Sequence, residues 1–214
     1  MTWSIEQMAQ RIAQDLPNGA IVNLGVGMPL QVGNYLTDGS VILHSENGLF
    51  GMGGAAEPGQ EDPEIVNAGK QSVTLLPGAA ITDQADSFGY LRAGLLDLAI
   101  LGAYQVSVTG DLANWRRPGE KIAGVGGAVD IAASAKAVWV MTKASTSDGM
   151  SKLLQVCDFP LTARGVVKRV YTDIGILQPC PDQRAFRLLE CAPGISQGEV
   201  ERTVAGRVLT DSPA

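Results

Sequence analysis

The sequence predicts an α/β fold with an open, largely parallel sheet flanked by helices. Two observations carry this. Short apolar runs recur at Ala20–Leu24, Val41–His44, Val73–Leu76, Leu98–Ala103 and Ala137–Met141, and glycine-rich turns or helix-compatible stretches separate them. Runs that are apolar at nearly every position belong to strands covered on both faces, which is the habit of parallel sheets.

The elements follow in order. Ser4 with Gln7 forms a capping-box pattern, and Ile5, Met8, Ala9, Ile12 and Leu16 recur at helical spacing until Pro17-Asn18-Gly19 ends the helix. After the first strand, Gly25-Val26-Gly27-Met28-Pro29 leads into a helix, an arrangement that aims free backbone N–H groups at an anion. The third glycine of a dinucleotide fingerprint is missing, and a tight turn with proline at a helix start reads equally well. The second strand runs into Ser45-Glu46-Asn47-Gly48-Leu49-Phe50-Gly51, which sets one carboxylate on a glycine turn. A third glycine cluster, Gly124-Val125-Gly126-Gly127-Ala128, enters a small-residue helix over Val129–Ala133 and offers backbone donors to an oxyanion.

Beyond Gly149 the runs Leu153–Cys157, Val166–Tyr171 and Phe186–Leu189 read as shorter strands that extend the sheet or cover its edge. Ser196-Gln197-Gly198-Glu199 is a second capping box, opening a last helix to about Thr203, and a loose tail is expected from about residue 207. With no repeat, low-complexity block or linker, residues 1–214 read as one domain.

Composition narrows the function. A formal net charge of -6 and a single basic pair, Arg116-Arg117, argue against a nucleic-acid partner. No segment approaches the roughly 20 apolar residues of a membrane span, and the first residues lack the basic and apolar regions of a signal peptide. Three cysteines, Cys157, Cys180 and Cys191, form no CxxC pair, so reduced thiols in the cytoplasm are expected rather than disulfides or zinc. His44 is the only histidine, so a histidine-based triad or metal cluster has one possible centre. It has either a structural role or a place lining the site beside Glu46.

Glu46 is the candidate to carry chemistry. An acid at the end of a buried strand costs desolvation energy unless it is paired, hydrogen-bonded or used. A carboxylate is ionised at neutral pH and attacks without a general base, which suits a chain with almost no histidine. The alternative from spacing alone is that Glu46 caps the following turn or pairs with a lysine.

Taken in order, Asn23-Leu24-Gly25-Val26-Gly27-Met28-Pro29, Ser45-Glu46-Asn47-Gly48, Asn67-Ala68-Gly69-Lys70, Gly110-Asp111-Leu112-Ala113-Asn114-Trp115 and Gly126-Gly127-Ala128-Val129-Asp130 resemble the family I coenzyme A transferases. The likeness is to the B (beta) subunit of the 3-oxoacid and 3-oxoadipate enzymes, over roughly residues 5 to 205. It implies that fold type, and that Glu46 is the covalent nucleophile. Glu46 would attack an acyl-CoA to give a mixed anhydride, and the released thiolate would convert this to a glutamyl-CoA thioester. The acceptor acid then takes the CoA by the reverse steps, with ping-pong kinetics.

The resemblance further implies that Gly127, with Ala128 beside it, supplies oxyanion donors, and that Gly25 and Gly27 shape the neighbouring loop. Asn47 and Gly48 set the turn that exposes Glu46. Lys70 matches a family lysine near bound CoA, although it also reads as a solvated surface residue. The coenzyme A thioester is a substrate, and no permanently bound cofactor or metal is expected. A separately encoded A (alpha) subunit is implied as partner, in a heterodimer or heterotetramer.

Glu6–Arg11 and Glu57–Asp62 look closest to 3-oxoadipate transferases of aromatic acid catabolism, which use succinyl-CoA as donor; acetoacetate is the next acceptor. Two positions depart from the family pattern, with Leu95 and Lys143 standing where histidine is usual. Arg92, Arg116 and Lys143 are candidates for neutralising a distal carboxylate, and none is assigned. An acyl-CoA hydrolase on the same scaffold and a noncatalytic metabolite-binding regulatory domain are the alternatives.

Overall fold

The computed structural model describes residues 1–36, 38–119 and 124–210. Its centre is a ten-stranded sheet. Five parallel strands form the middle in the order β2 (Ile42–Ser45), β1 (Ile21–Leu24), β5 (Leu98–Leu101), β8 (Ala137–Met141) and β10 (Val167–Thr172). Antiparallel wings complete it. On one side β3 (Leu49–Ala55) and β4 (Val73–Ile81) follow β2, and on the other β11 (Gly175–Cys180) and β12 (Ala185–Cys191) follow β10, with β13 (Val208–Leu209) parallel at the edge. A separate three-stranded sheet joins β6 (Gln105–Ser107), β7 (Leu112–Ala113) and β9 (Leu153–Leu154).

The buried strands feed two cores because alternate side chains point to opposite faces. In β5, Leu98 and Ile100 join Met8, Ala9 and Ile12 of α1 (Ile5–Asp15), whereas Ala99 and Leu101 join the opposite layer. That layer holds Leu91 of α2 (Gln84–Arg92), Ile131 and Ala132 of α3 (Ala128–Ser134) and Val200 of α4 (Gln197–Thr203). Full burial of each large aliphatic side chain stabilises by about 1.5–3 kcal/mol. The expected capping boxes of α1 and α4 are both present, with Ser4 and Ser196 accepting from the backbone N–H of Gln7 and Glu199.

α1 is also tied to the sheet electrostatically. Arg11 meets Glu190 of β12 at 2.8 Å, while Asp15 accepts from the Tyr171 hydroxyl at 2.6 Å and from Arg169 at 3.0 Å. Among the described residues no helix is long and apolar enough to cross a membrane.

Several elements differ from expectation. Val208–Leu209, expected in the tail, pair with Phe186 and Arg187, because Gly206 packs so closely on Phe186 and Val108 that a Cβ there would lie 2.8 and 2.9 Å from them. Residues 211–214 of that tail lie outside the described residues. The run from Leu98 leaves the sheet after Leu101, where Asn114 Nδ2 donates to the Gly102 carbonyl at 3.1 Å. Leu153–Leu154 belong to the small sheet instead of the large one, and Val167–Thr172 sit inside the parallel array. Leu49, Phe50 and Gly51, read in the sequence as part of a glycine turn, lie within strand β3.

Candidate active site

The carboxyl ends of β1, β2 and β5 open on one side, where open parallel sheets place ligands. The chain after each strand contributes a wall. Gly25–Pro29 follow β1, Glu46 follows β2 and Gly102–Tyr104 follow β5; with Gly126–Ala128 they line a cleft of about 490 Å³.

Glu46 is held there by a hairpin loop. His44 and Ser45 pair with Phe50 and Leu49, the Gly48 N–H donates to the Ser45 carbonyl at 3.0 Å, and Gly48 adopts a φ of 115°. A Cβ on Gly48 would run into the Thr82 carbonyl oxygen, so only glycine closes this loop without strain. The loop carrying Lys70 is docked on the same hairpin: the Ala68 N–H donates to Ser45 Oγ at 2.9 Å, and Asn47 Nδ2 donates to the Val66 carbonyl at 2.8 Å. Asn47 therefore fastens the neighbouring loop to the hairpin. Lys70 is exposed and has a left-handed φ of 62°, an uncommon conformation for a lysine, and it does not line the cleft.

The Glu46 carboxylate is half-buried and neither caps the turn nor pairs with a lysine among the described residues. Burial pushes its pKa up from the usual glutamate range. It packs directly on Gly127, whose missing Cβ would lie 2.7 Å from the Glu46 carboxyl carbon. Gly127 is the N-cap of α3. The first-turn N–H groups that begin at Ala128 have no intrahelical acceptor, which leaves donors beside the carboxylate.

Gly25 and Gly27 act differently. Gly25 is pinned by its N–H to the Ile100 carbonyl at 2.8 Å, and a Cβ would sit 2.9 Å from Leu101 Cδ2. Gly27 has open space but a φ of 99°, which starts the 3₁₀ turn of Met28–Tyr35.

His44 is fully buried behind the hairpin and does not line the cleft. Its Nδ1 accepts from Asn23 Nδ2 at 3.0 Å, which leaves Nε2–H to donate to Ser87 Oγ of α2 at 2.8 Å. Of the two roles open to it, His44 fills the structural one. Burial lowers its pKa to about 4. Because the folded value lies below the ordinary 6.5, the stability from the neutral ring is complete above pH 6.5 and is lost as pH falls through 4. Urea titrations across that window should show a loss of about 3 kcal/mol on acidification. His44→Gln should flatten it, and an unchanged slope in the variant would assign the pH dependence elsewhere.

The structure adds residues that the sequence did not mark as site residues. Tyr104, Arg117 and Lys152 line the cleft, and Asn114, known only as part of Gly110–Trp115, lines it too. The two positions that depart from the family pattern are set apart. Leu95 packs near Tyr90 and His44 behind α2, and Lys143 lines a neighbouring cavity.

Fold and site together define a class: an α/β protein that presents a carboxylate against a glycine helix start at the ends of parallel strands. The family model described as Coenzyme A transferase matches residues 5–202. The chain belongs to the coenzyme A transferase family. It is 50% identical over 197 residues to the B subunit of 3-oxoadipate CoA-transferase from Pseudomonas putida, covering 92% of each chain. It is 41% identical over 201 residues to the B subunit of succinyl-CoA:3-ketoacid coenzyme A transferase from Helicobacter pylori, covering 94% of this chain and 96% of that one. Solved structures share the fold. An acyl-CoA transferase (YdiF) from Escherichia coli O157:H7 superposes with a TM-score of 0.74 at 21% identity, over all of this chain, which spans 44% of that one. Glutaconate coenzyme A-transferase from Acidaminococcus fermentans gives 0.65 at 17% identity, covering 99% of this chain and 90% of that one.

Proposed function

We propose that the chain is the B subunit of a CoA-transferase that moves CoA from succinyl-CoA to a 3-oxo acid, with 3-oxoadipate favoured over acetoacetate, through a glutamyl-CoA thioester on Glu46. One observation carries it: the half-buried Glu46 carboxylate, without an ion-pair partner among the described residues, lies against Gly127 inside the cleft. The names of the relatives supply the substrate class.

In this reading a carboxylate oxygen of Glu46 attacks the thioester carbonyl and CoA thiolate leaves, giving an acyl-glutamyl anhydride. The thiolate then attacks the glutamyl carbonyl and the donor acid departs. The acceptor carboxylate attacks the glutamyl-CoA carbonyl, expels the thiolate and is itself attacked by it, which frees Glu46. Backbone N–H groups at Gly127 and Ala128 stabilise each tetrahedral oxyanion. Gly25 and Gly27 keep the opposite wall low, and Lys70 stands beside the route of the CoA chain. Coenzyme A enters and leaves as substrate, with no resident cofactor, and the enzyme works in the cytoplasm.

A partner is part of the proposal. An anhydride must be kept from water, yet on its other side Glu46 also borders a broad depression of about 620 Å³ lined by Gln84, Phe88 and Arg92. An A-type partner chain would cover that side. The chain alone should therefore be inactive, and transfer should appear on mixing with that partner. Mass spectrometry after incubation of the pair with succinyl-CoA should place the CoA adduct on the peptide containing Glu46. An adduct on another residue rejects the mechanism, and a fully active isolated chain rejects the partner. Water-dependent loss of CoA without an acceptor acid would favour a hydrolase.

A further inference from the structure

Charge is distributed unevenly along the cleft. Among the described residues that line it, Glu46 is the only acid, and Lys152 and Arg117 are the only cations. Lys152 lies half-buried in the wall, with Nζ donating to Thr142 Oγ1 at 3.2 Å, and Thr142 Oγ1 in turn donates to the Ala103 carbonyl at 3.1 Å. The Arg117 guanidinium lies 4.3 Å over the Tyr104 ring, which holds it at the cleft wall. Apolar surface from Met28, Leu101, Ala103 and Ile131 lines the same cleft.

We infer that Lys152 and Arg117 form the subsite for the distal carboxylate of a dicarboxylic acyl group, and so select four- to six-carbon diacids over monoacids. The inference rests on the proposed acyl transfer at Glu46. A diacid chain has its two charges at opposite ends, so its remote carboxylate is drawn to the cations and away from the Glu46 anion, and its methylenes meet the apolar wall. The reacting carbonyl is thereby left for Glu46. Burial, and then the neighbouring Arg117 charge, depress the Lys152 pKa against the opposing pull of Asp173 in the adjoining cavity, a cost that a bound anion relieves. Among the other basic candidates, Arg92 borders the depression on the other side of Glu46, and Lys143 lines the adjoining cavity with Lys152 and Arg117 on its border. The carboxylate is favoured over a CoA phosphate because Lys152 is recessed in the wall of the cavity that holds the nucleophile.

The test compares succinyl-CoA with butyryl-CoA, its four-carbon counterpart without the distal charge, using the chain paired with its A-type partner. The wild-type pair should prefer succinyl-CoA in kcat/KM. Lys152→Gln should reduce that preference by about 10- to 100-fold, the range of a hydrogen bond to a charged group, and Lys152→Arg should restore part of it. Arg117→Gln, at an exposed position, provides the same readout if Lys152→Gln fails to assemble. Equal losses for both esters would mean that the two cations serve CoA phosphates, and the inference falls. It falls equally if the wild type shows no preference or the variants leave it unchanged. A wild-type pair that forms the Glu46 adduct while the preference stays fixed rejects this subsite alone. A pair that forms no adduct removes the underlying reaction as well.

Discussion

Glu46→Gln should lower transfer by on the order of 10⁴-fold or more while making the folded chain more stable at neutral pH. The first effect follows from removing the atom proposed to bond to substrate; the amide is not a nucleophile, and losses of this size accompany removal of a covalent catalyst. The second follows from the sign of the pKa shift. Burial raises the folded-state pKa above the unfolded one, so the ionised carboxylate burdens the native state increasingly as pH rises through the folded value. Glutamine keeps the shape and removes the charge. Steady-state assays of the reconstituted pair and urea denaturation of the chain at pH 7 measure the two halves. A variant that is inactive but less stable would indicate that Glu46 holds the hairpin, returning it to a structural role.

Gly127→Ala should leave the fold intact and reduce kcat about 100-fold. The backbone at Gly127 has φ of -71° and ψ of -15°, which alanine adopts readily, so the substitution introduces no strain of its own. The new methyl would stand 2.7 Å from the Glu46 carboxyl carbon and 2.8 Å from Oε1, closer than atoms pack. The carboxylate is the free end of a flexible side chain and swings away, and a misplacement of about 1 Å costs about 10² in rate. Thermal melts should therefore coincide with wild type while kcat falls. Unchanged kcat would mean that the contact between Glu46 and Gly127 does not belong to the reacting geometry. Gly48→Ala serves as the contrast, because its strain is in the backbone and its damage should appear in stability.

Much of the fold is legible in the sequence because its signals are local. Ser4 and Gln7 mark the start of α1, and Ser196 and Glu199 that of α4, by hydrogen bonds between residues one turn apart. Parallel strands β1, β5 and β8 announce themselves as continuous apolar runs, since both faces of the sheet are covered, whereas β10 carries Lys168 and Arg169, and the run at Val73–Leu76 falls on the antiparallel, largely exposed edge strand β4. Strand β3 escapes such a reading because Gly51 belongs to the glycine turn read over Ser45–Gly51; in the sheet Gly54 lies so close to Asn34 of the Met28–Tyr35 3₁₀ turn that a Cβ would stand 3.1 Å from its Cα. The end of the chain misleads for a related reason. Two residues at a sheet edge, Val208 and Leu209, form no periodic pattern, and their partners Phe186 and Arg187 in β12 are distant in sequence.

At the site the same division holds. Residue type and order alone determined that an acid stands at the end of a buried strand on a glycine turn, that histidine chemistry is nearly absent, and that the motifs run in coenzyme A transferase order. Those are properties of neighbours along the chain. Tertiary packing decided that His44 faces away into Asn23 and Ser87, that Gly127 meets the Glu46 carboxylate, and that Lys152 and Arg117 share its cleft. Each of these depends on loops from separate strands meeting at one end of the sheet, a proximity that leaves no periodicity or spacing in the sequence.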